Sequence, residues 1–381
     1  MAVVLVVAAG VVGLARAQYA SGSATRSATV TTGPATTPTG AVATTTSTPR
    51  TTSTTTSTTT STTVVPERSQ PGWSVATRSS RGVMVDFRNI DVGGAIFRVV
   101  RLRARSTLLR WHVGAGDPLA WRAAPADAGP SIDWASEGLP GVVAVFNGGF
   151  KQGAHAGGAV VDHVVLVPLV RGDATLAINA AGAWEMGVWG ARGFPTLGFG
   201  TISLRQNLVP LLENGRLSAA AHSPLAATWG ATLTASPLTA RSGLGVDAAG
   251  NLLYVATMTG VTPAQLAVAL ARVGARIAMQ LDINPYWPIL GVATPPVHSP
   301  SGTYAVQLPS SDHNASIYNT GWQRDFFVAM AEPNTWKCSW RSAGITPGRP
   351  GAQPQPLGLY GRGCHLRATS TSSGVRAHSG G

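Results

Sequence analysis

Asn251-Leu252-Leu253-Tyr254-Val255-Ala256-Thr257, then Thr262-Pro263-Ala264-Gln265, then Ile277-Ala278-Met279-Gln280-Leu281-Asp282: these three pieces decide the expected fold. The first is a short apolar run of the kind a buried strand needs. In the second, Thr supplies an N-cap oxygen, Pro fits the first helical position, and Gln three residues after the Thr completes a capping box. Leu266, Ala269, Leu270 and Val273 then recur at helical spacing, and Gly274 supplies the stop. The third piece is a second apolar strand that runs directly into an acid. Strand, helix and strand at this spacing predict a right-handed βαβ unit with two parallel strands. The expected class is therefore α+β or α/β: a mixed β-sheet core with at least one such unit and flanking helices.

Working outward, strand signals dominate the rest of the middle. Val83–Phe87, Ile96–Val100 and Val142–Phe146 have strand length and composition, and more follow at Ala159–Val161, Val164–Val167, Thr175–Ile178 and Trp184–Val188. Beyond these limits the composition changes. Residues 18–69 are mostly Thr, Ser, Ala, Pro and Gly, too poor in apolar surface to offset the entropy of ordering, and they read as a disordered stalk. Residues 1–17 hold an uncharged apolar stretch from Ala2 to Leu14 followed by Ala15-Arg16-Ala17. That is the pattern of a cleaved signal peptide, or, since no basic residues precede it, of a truncated membrane anchor. Residues 70–336 form the expected domain, and residues 337–381 a basic Gly/Pro/Ser-rich tail. The tail contains Cys338 and Cys364, a pair expected to bridge outside the cytoplasm.

The formal net charge of +12 is concentrated outside the domain: residues 337–381 carry six basic side chains and no acid. That placement argues against nucleic acid as a partner and points the tail toward anionic wall polymers or membrane surfaces. An exported, extracytoplasmic chain, secreted or tethered to the cell surface, is the expectation. Oligomeric state is not encoded in any pattern here.

Ligands of open α/β sheets sit beyond the carboxyl ends of parallel strands, which makes Asp282 the leading candidate for chemistry. The segment after it, Ile283-Asn284-Pro285-Tyr286-Trp287, offers an amide in Asn284 and a stacking ring in Trp287. Asn147-Gly148-Gly149-Phe150 ends another apolar run in a sharp turn. Arg241 opens the apolar stretch Arg241-Ser242-Gly243-Leu244-Gly245-Val246. Further acids at Asp162, Glu185, Asp247, Asp312 and Asp325, and the imidazoles of His155 and His163, are weaker candidates. Asp247 heads a turn and Ser311-Asp312-His313-Asn314 reads as a polar loop. No metal-ligand spacing occurs; no cofactor is expected, and a divalent cation is compatible with the aspartates without being indicated.

Taken together, Asn147-Gly148-Gly149-Phe150, Arg241 to Val246 followed by the strand from Asn251, and Gly260-Val261-Thr262 through Leu281-Asp282 resemble the motifs of the phosphodiester glycosidase family in order and spacing. The likeness runs over roughly residues 80–330, with Arg324-Asp325-Phe326-Phe327 similar to that family's closing strand. One loop departs from the pattern: many members follow Leu-Asp with Gly-Gly-Gly-Ser, where this chain has Ile283 to Trp287. The resemblance implies hydrolysis of a sugar-1-phosphodiester bond in a surface or exported polysaccharide. For that reaction Asp282 is the candidate carboxylate and Arg241 the candidate cation for phosphate, and Asn147, Gly148, Gly149, Asn284, Trp287 and Asp325 are the expected substrate contacts. The glycan or glycosyl-phosphate polymer would be the partner. The altered loop keeps a second expectation open, a non-catalytic glycan-binding module on the same fold.

Overall fold

The computed structural model describes residues 71–332, apart from 81, 119–123, 155, 198–199, 224 and 309. The leader, stalk and tail expectations, both cysteines and His155 lie outside the described residues. Among the described residues no helix is long and apolar enough to cross a membrane.

Among the described residues eighteen strands form three sheets, and every strand pair is antiparallel. The largest sheet has the order β1 (Ser74–Ser79), β2 (Gly82–Val92), β3 (Ala95–Leu102), β14 (Leu252–Val261), β13 (Thr239–Asp247), β15 (Ala275–Ile283), β11 (Leu212–Glu213), β12 (Arg216–Leu217). A second sheet has the order β17 (Val306–Leu308), β16 (Leu290–Val297), β5 (Val142–Asn147), β18 (Phe326–Ala331), β4 (Thr107–His112). The third runs β7 (Val164–Val167), β6 (Ala159–Val161), β10 (Thr201–Gln206), β8 (Ala174–Asn179), β9 (Trp184–Val188).

This corrects the expected α+β or α/β class. Among the described residues the α-helices are α1 (Ala226–Trp229), α2 (Pro263–Arg272) and α3 (Ile317–Thr320), and only α2 is longer than four residues. The predicted βαβ unit exists as chain segments, with its capping box formed by Thr262 and Gln265 as expected. Its two strands are not neighbours, however. Strand β13 lies between β14 and β15 and is antiparallel to both, so the crossover spans an intervening strand instead of closing a parallel pair. Local pattern fixes a strand's existence; which edge it joins depends on partners distant in sequence.

The main core lies where the three sheets face one another. Val85, Val100, Leu244 and Tyr254 come from the first sheet, Phe146, Leu290 and Phe327 from the second, and Leu176 and Ile178 from the third. The opposite face of the large sheet packs under α2 through Phe97, Leu253, Val255, Leu266 and Leu270. A Cβ on Gly243 would lie 3.1 Å from Leu270 Cδ1, and one on Gly245 2.8 Å from the Ala275 Cβ. The Gly-x-Gly alternation of β13 therefore lets α2 lie close against the sheet.

Candidate active site

Strand β15 delivers Asp282 through an irregularity. Gln280 pairs with Gly243 and Ile283 with Arg241, so two residues, Leu281 and Asp282, oppose the single Ser242. This is a β-bulge, which adds one residue and resets the alternation of side chains. Without it Asp282 would share a face with Gln280, beneath the helix. With it, Leu281 keeps the core side that Met279 faces, and Ile283 returns to the helix side. The Asp282 carboxylate then meets Arg324, at 2.6 Å from Nη2.

Asp282 is 4% exposed. Its Oδ1 accepts the Ile283 N–H at 3.0 Å, its own N–H donates to the Gly148 carbonyl at 3.0 Å, and its carbonyl accepts the Ser242 hydroxyl at 2.7 Å. Burial pushes its carboxyl up to about 7, against the downward pull of Arg324 and the Ile283 N–H. Arg324 in turn stacks over the Trp287 ring, 4.5 Å from its centroid, and its Nε is buried without a hydrogen-bond acceptor. Trp287 is half-buried, and the more exposed Tyr286 packs beside it with ring centroids 6.0 Å apart.

The structure separates the other expected site residues into those near Asp282 and those spent on the scaffold. Arg241 is not brought to the Asp282 carboxylate. It is buried, and its Nε, Nη1 and Nη2 donate to the Val261 carbonyl, Gln280 Oε1 and the Pro237 carbonyl at 2.9, 2.7 and 2.9 Å. Burial alone lowers its pKa to about 10. Being opposite Ile283, it lies on the helix side of the sheet. Asn147 donates to Ser242 Oγ and accepts from the Tyr254 hydroxyl and the Ile289 N–H, so both ends of its amide are engaged. Asn284 has a φ of 74° and its side chain holds Leu233, Thr239 and Ala231, mooring the segment that precedes β13.

Asp325 forms the floor under the Asn-Gly-Gly-Phe turn. It is 1% exposed, and its Oδ2 accepts from Arg205 Nε at 2.7 Å, Trp111 Nε1 at 2.9 Å and the Gly149 N–H at 3.2 Å. The Gly148 N–H donates to the Asp325 carbonyl, and the Phe150 N–H to Asn207 Oδ1. All three amides of the turn are thus turned inward. A Cβ on Gly148 would lie 2.3 Å from Asp325 Oδ2, which explains glycine there.

Of the remaining acids, Asp247 caps its own turn through Ala249 and Asn251, Glu185 holds Thr196 and Leu197, and Asp312 faces His313. Asp162 and His163 are the two positive-φ residues of the hairpin joining β6 to β7. Asp162 lines a recess with Arg110, Trp111, Asp127 and Asn179 that contains neither Asp282 nor Arg324. No group of three or more potential metal-binding side chains occurs among the described residues.

Sequence reasoning placed Arg324 in a strand-like motif without giving it a role, and passed over Arg205, Asn207 and Asp117. The available signal was the adjacency of Arg324 and Asp325: neighbours at a strand entrance point to opposite sides, so each needs its own partner.

No family model matches this sequence, and no curated protein does. Solved structures offer distant likenesses. The zebrafish N-acetylglucosamine-1-phosphodiester alpha-N-acetylglucosaminidase catalytic domain, auto-inhibited by its pro-peptide, is 16% identical, with a TM-score of 0.42 over 68% of this chain and 88% of that one. A hypothetical protein from Synechocystis is 12% identical, with a TM-score of 0.39 over 66% of this chain and 63% of that one. A Burkholderia pseudomallei protein described as exported is 14% identical, with a TM-score of 0.32 over 66% of this chain and 75% of that one. Likeness this distant transfers no residue role, and the site stands on its own geometry.

Proposed function

We propose that the protein is an extracytoplasmic hydrolase of glycosyl phosphodiesters in surface or exported polysaccharide, with Asp282 as its carboxylate and Arg324 as its cation. One observation carries the reading: a buried carboxylate, poised to ionise near neutrality, is clasped by a guanidinium that still has a donor without an acceptor. Arg324 takes the part expected of Arg241, whose donors are engaged elsewhere.

In the reaction, a water oxygen bonds to the anomeric carbon while its proton passes to Asp282. The bond from that carbon to the phosphate oxygen breaks, and its electron pair leaves on the phosphate. Phosphate is a good leaving group, so the demand falls on base and electrostatic assistance. The guanidinium beside Asp282 suits that departing charge, being able to match two phosphate oxygens at once. Trp287 supplies an apolar face for the sugar ring.

The test is release of free sugar from a panel of sugar-1-phosphodiesters by the purified chain. Asp282→Asn is expected to reduce the rate at least ~100-fold, and Arg324→Gln by about 100- to 1,000-fold. Wild-type activity should rise with pH as Asp282 ionises around its value of about 7. Unchanged release in Asp282→Asn removes the mechanism.

A second reading is favoured by the side-chain exposures of only 6% for Asp282 and 12% for Arg324, with the aromatic pair outermost. On that reading Tyr286 and Trp287 grip a wall polysaccharide without turnover. Retention on intact wall material with no sugar released, abolished by Trp287→Ala, would select it.

A further inference from the structure

Two cations from separate segments act on Asp117, which lies in the loop after β4: Lys151, from the residue after the Asn-Gly-Gly-Phe turn, and Arg324, from the entrance to β18. The loop carrying Asp117 is strapped down. Ala115 N–H donates to the Trp322 carbonyl at 2.9 Å, and Gly116 and Asp117 N–H groups both donate to the Gln323 carbonyl at 3.0 Å. The Gly114 N–H closes the turn onto the Asp117 carbonyl at 2.8 Å. A Cβ on Gly114 would lie 2.3 Å from the Gln323 carbonyl oxygen, so this approach requires glycine. Asp117 is therefore anchored, through its backbone, to the residue preceding Arg324.

Its carboxyl lies in the fields of Arg324, Asp325 and Lys151. Burial raises its pKa above the ordinary carboxylate range, and Arg324 and Lys151 oppose that rise. The Lys151 ammonium is exposed and has no hydrogen bond or ion pair among the described residues. Arg324 keeps a buried Nε without an acceptor. Two cations with unused donors thus act through space on one half-buried carboxylate whose backbone is tied down.

We propose that Asp117 is a built-in counter-anion: strapped to the residue before Arg324, its carboxylate sets a fixed negative charge beside the place where an incoming phosphoryl group would engage Arg324 and Lys151. This deepens the hydrolase reading and rests on it for the identity of the substrate's anion. The device has a physical purpose. A small monoanion gains little beside a fixed negative charge, whereas a phosphoryl group can engage both cations. Asp117 weakens binding of every anion and thereby selects for those that contact Arg324 and Lys151 together.

Inorganic phosphate titrated calorimetrically into the full chain, at fixed neutral pH and low salt, tests this without turnover. Asp117→Asn keeps the shape of the side chain and removes the charge, so phosphate should bind about tenfold more tightly, as expected for deleting one like charge nearby in a partly solvated site. Asp117→Ser should show the same direction of change, and adding Lys151→Met to Asp117→Asn should cancel the gain. Equal or weaker phosphate binding in both Asp117 variants, with unaltered melting temperatures, overturns the proposal. Failure of the hydrolase reading appears elsewhere, as absence of sugar release by the wild type, and leaves the phosphate result standing.

Discussion

Substituting Asp325 by Asn tests whether this residue belongs to the scaffold or to the substrate. The Asp325 and Arg205 side chains are 0% and 1% exposed, and their ion pair is 2.7 Å long. Arg205 keeps two other acceptors, the Gln206 and Phe150 carbonyls, each at 2.7 Å. The asparagine preserves shape and can leave its oxygen where Oδ2 receives Arg205, Trp111 and Gly149. What it removes is the counter-charge, and it turns an amide N–H₂ toward Nη2, which now lies 3.3 Å from Oδ1. Breaking one side of a buried pair costs roughly 3–5 kcal/mol. For a domain of this size that lowers the melting temperature by about 10 °C. Alanine would also orphan the Trp111 and Gly149 donors, at about 1–3 kcal/mol each, which together approaches the whole stability of an ordinary domain. Urea unfolding followed by tryptophan fluorescence measures the loss directly. A change below ~1 kcal/mol in Asp325→Asn would refute the argument, because it would mean that the pair is effectively solvated. Replacing both partners by apolar residues, Arg205→Met with Asp325→Leu, should recover much of the loss.

Two further outcomes follow from single elements. His112 is buried, with Nδ1 against the Gly129 carbonyl at 2.9 Å and Nε2 against Glu137 Oε1 at 3.0 Å. Burial works against the imidazolium, but the charge and hydrogen bond of Glu137 and the Gly129 carbonyl outweigh it, and the pKa ends above the ordinary value. The stabilisation is therefore fully present below the unfolded histidine value of about 6.5 and disappears as pH rises through the raised folded value. Unfolding free energies of wild type and His112→Gln should accordingly converge at high pH, and a gap independent of pH counts against a charged imidazole. Separately, Thr262→Ala deletes the side-chain acceptor for the Gln265 N–H at the start of α2. It should cost about 1 kcal/mol in chemical denaturation, whereas no loss would mean that the helix end is held by packing alone.

Much of the secondary structure was legible because it depends on neighbours in sequence. Ala159–Val161, Val164–Val167 and Trp184–Val188 appear as strands with the expected bounds, and the Thr262 cap starts the helix where the capping pattern put it. The pairing was not legible. Nothing within residues 251–282 reveals that β13, which precedes them, inserts between their two strands, and an all-antiparallel architecture followed where a parallel pair was expected. Position of the acid was read correctly as a strand end, but for a reason that does not hold: Asp282 escapes the helix side through a bulge, not through the mouth of a parallel sheet. Its partner was out of reach for the same cause. Arg324 lies 42 residues farther along the chain, and only the folded sheets bring the two together. Arg241, adjacent in the motif, sits across the bulge on the helix side.

The extra residue in β15 also makes this site a matter of counting along the chain. A point substitution can change what stands at position 282, but it cannot carry that position through the sheet. Deleting Leu281 would close the bulge and draw the acid one place back along β15, into the position Leu281 now fills in the apolar core between the sheets. Arg324 would lose its mate at the same stroke. A site of this design is gained or lost by insertion and deletion, so kinship among such chains is better traced by where a gap falls than by which letters agree.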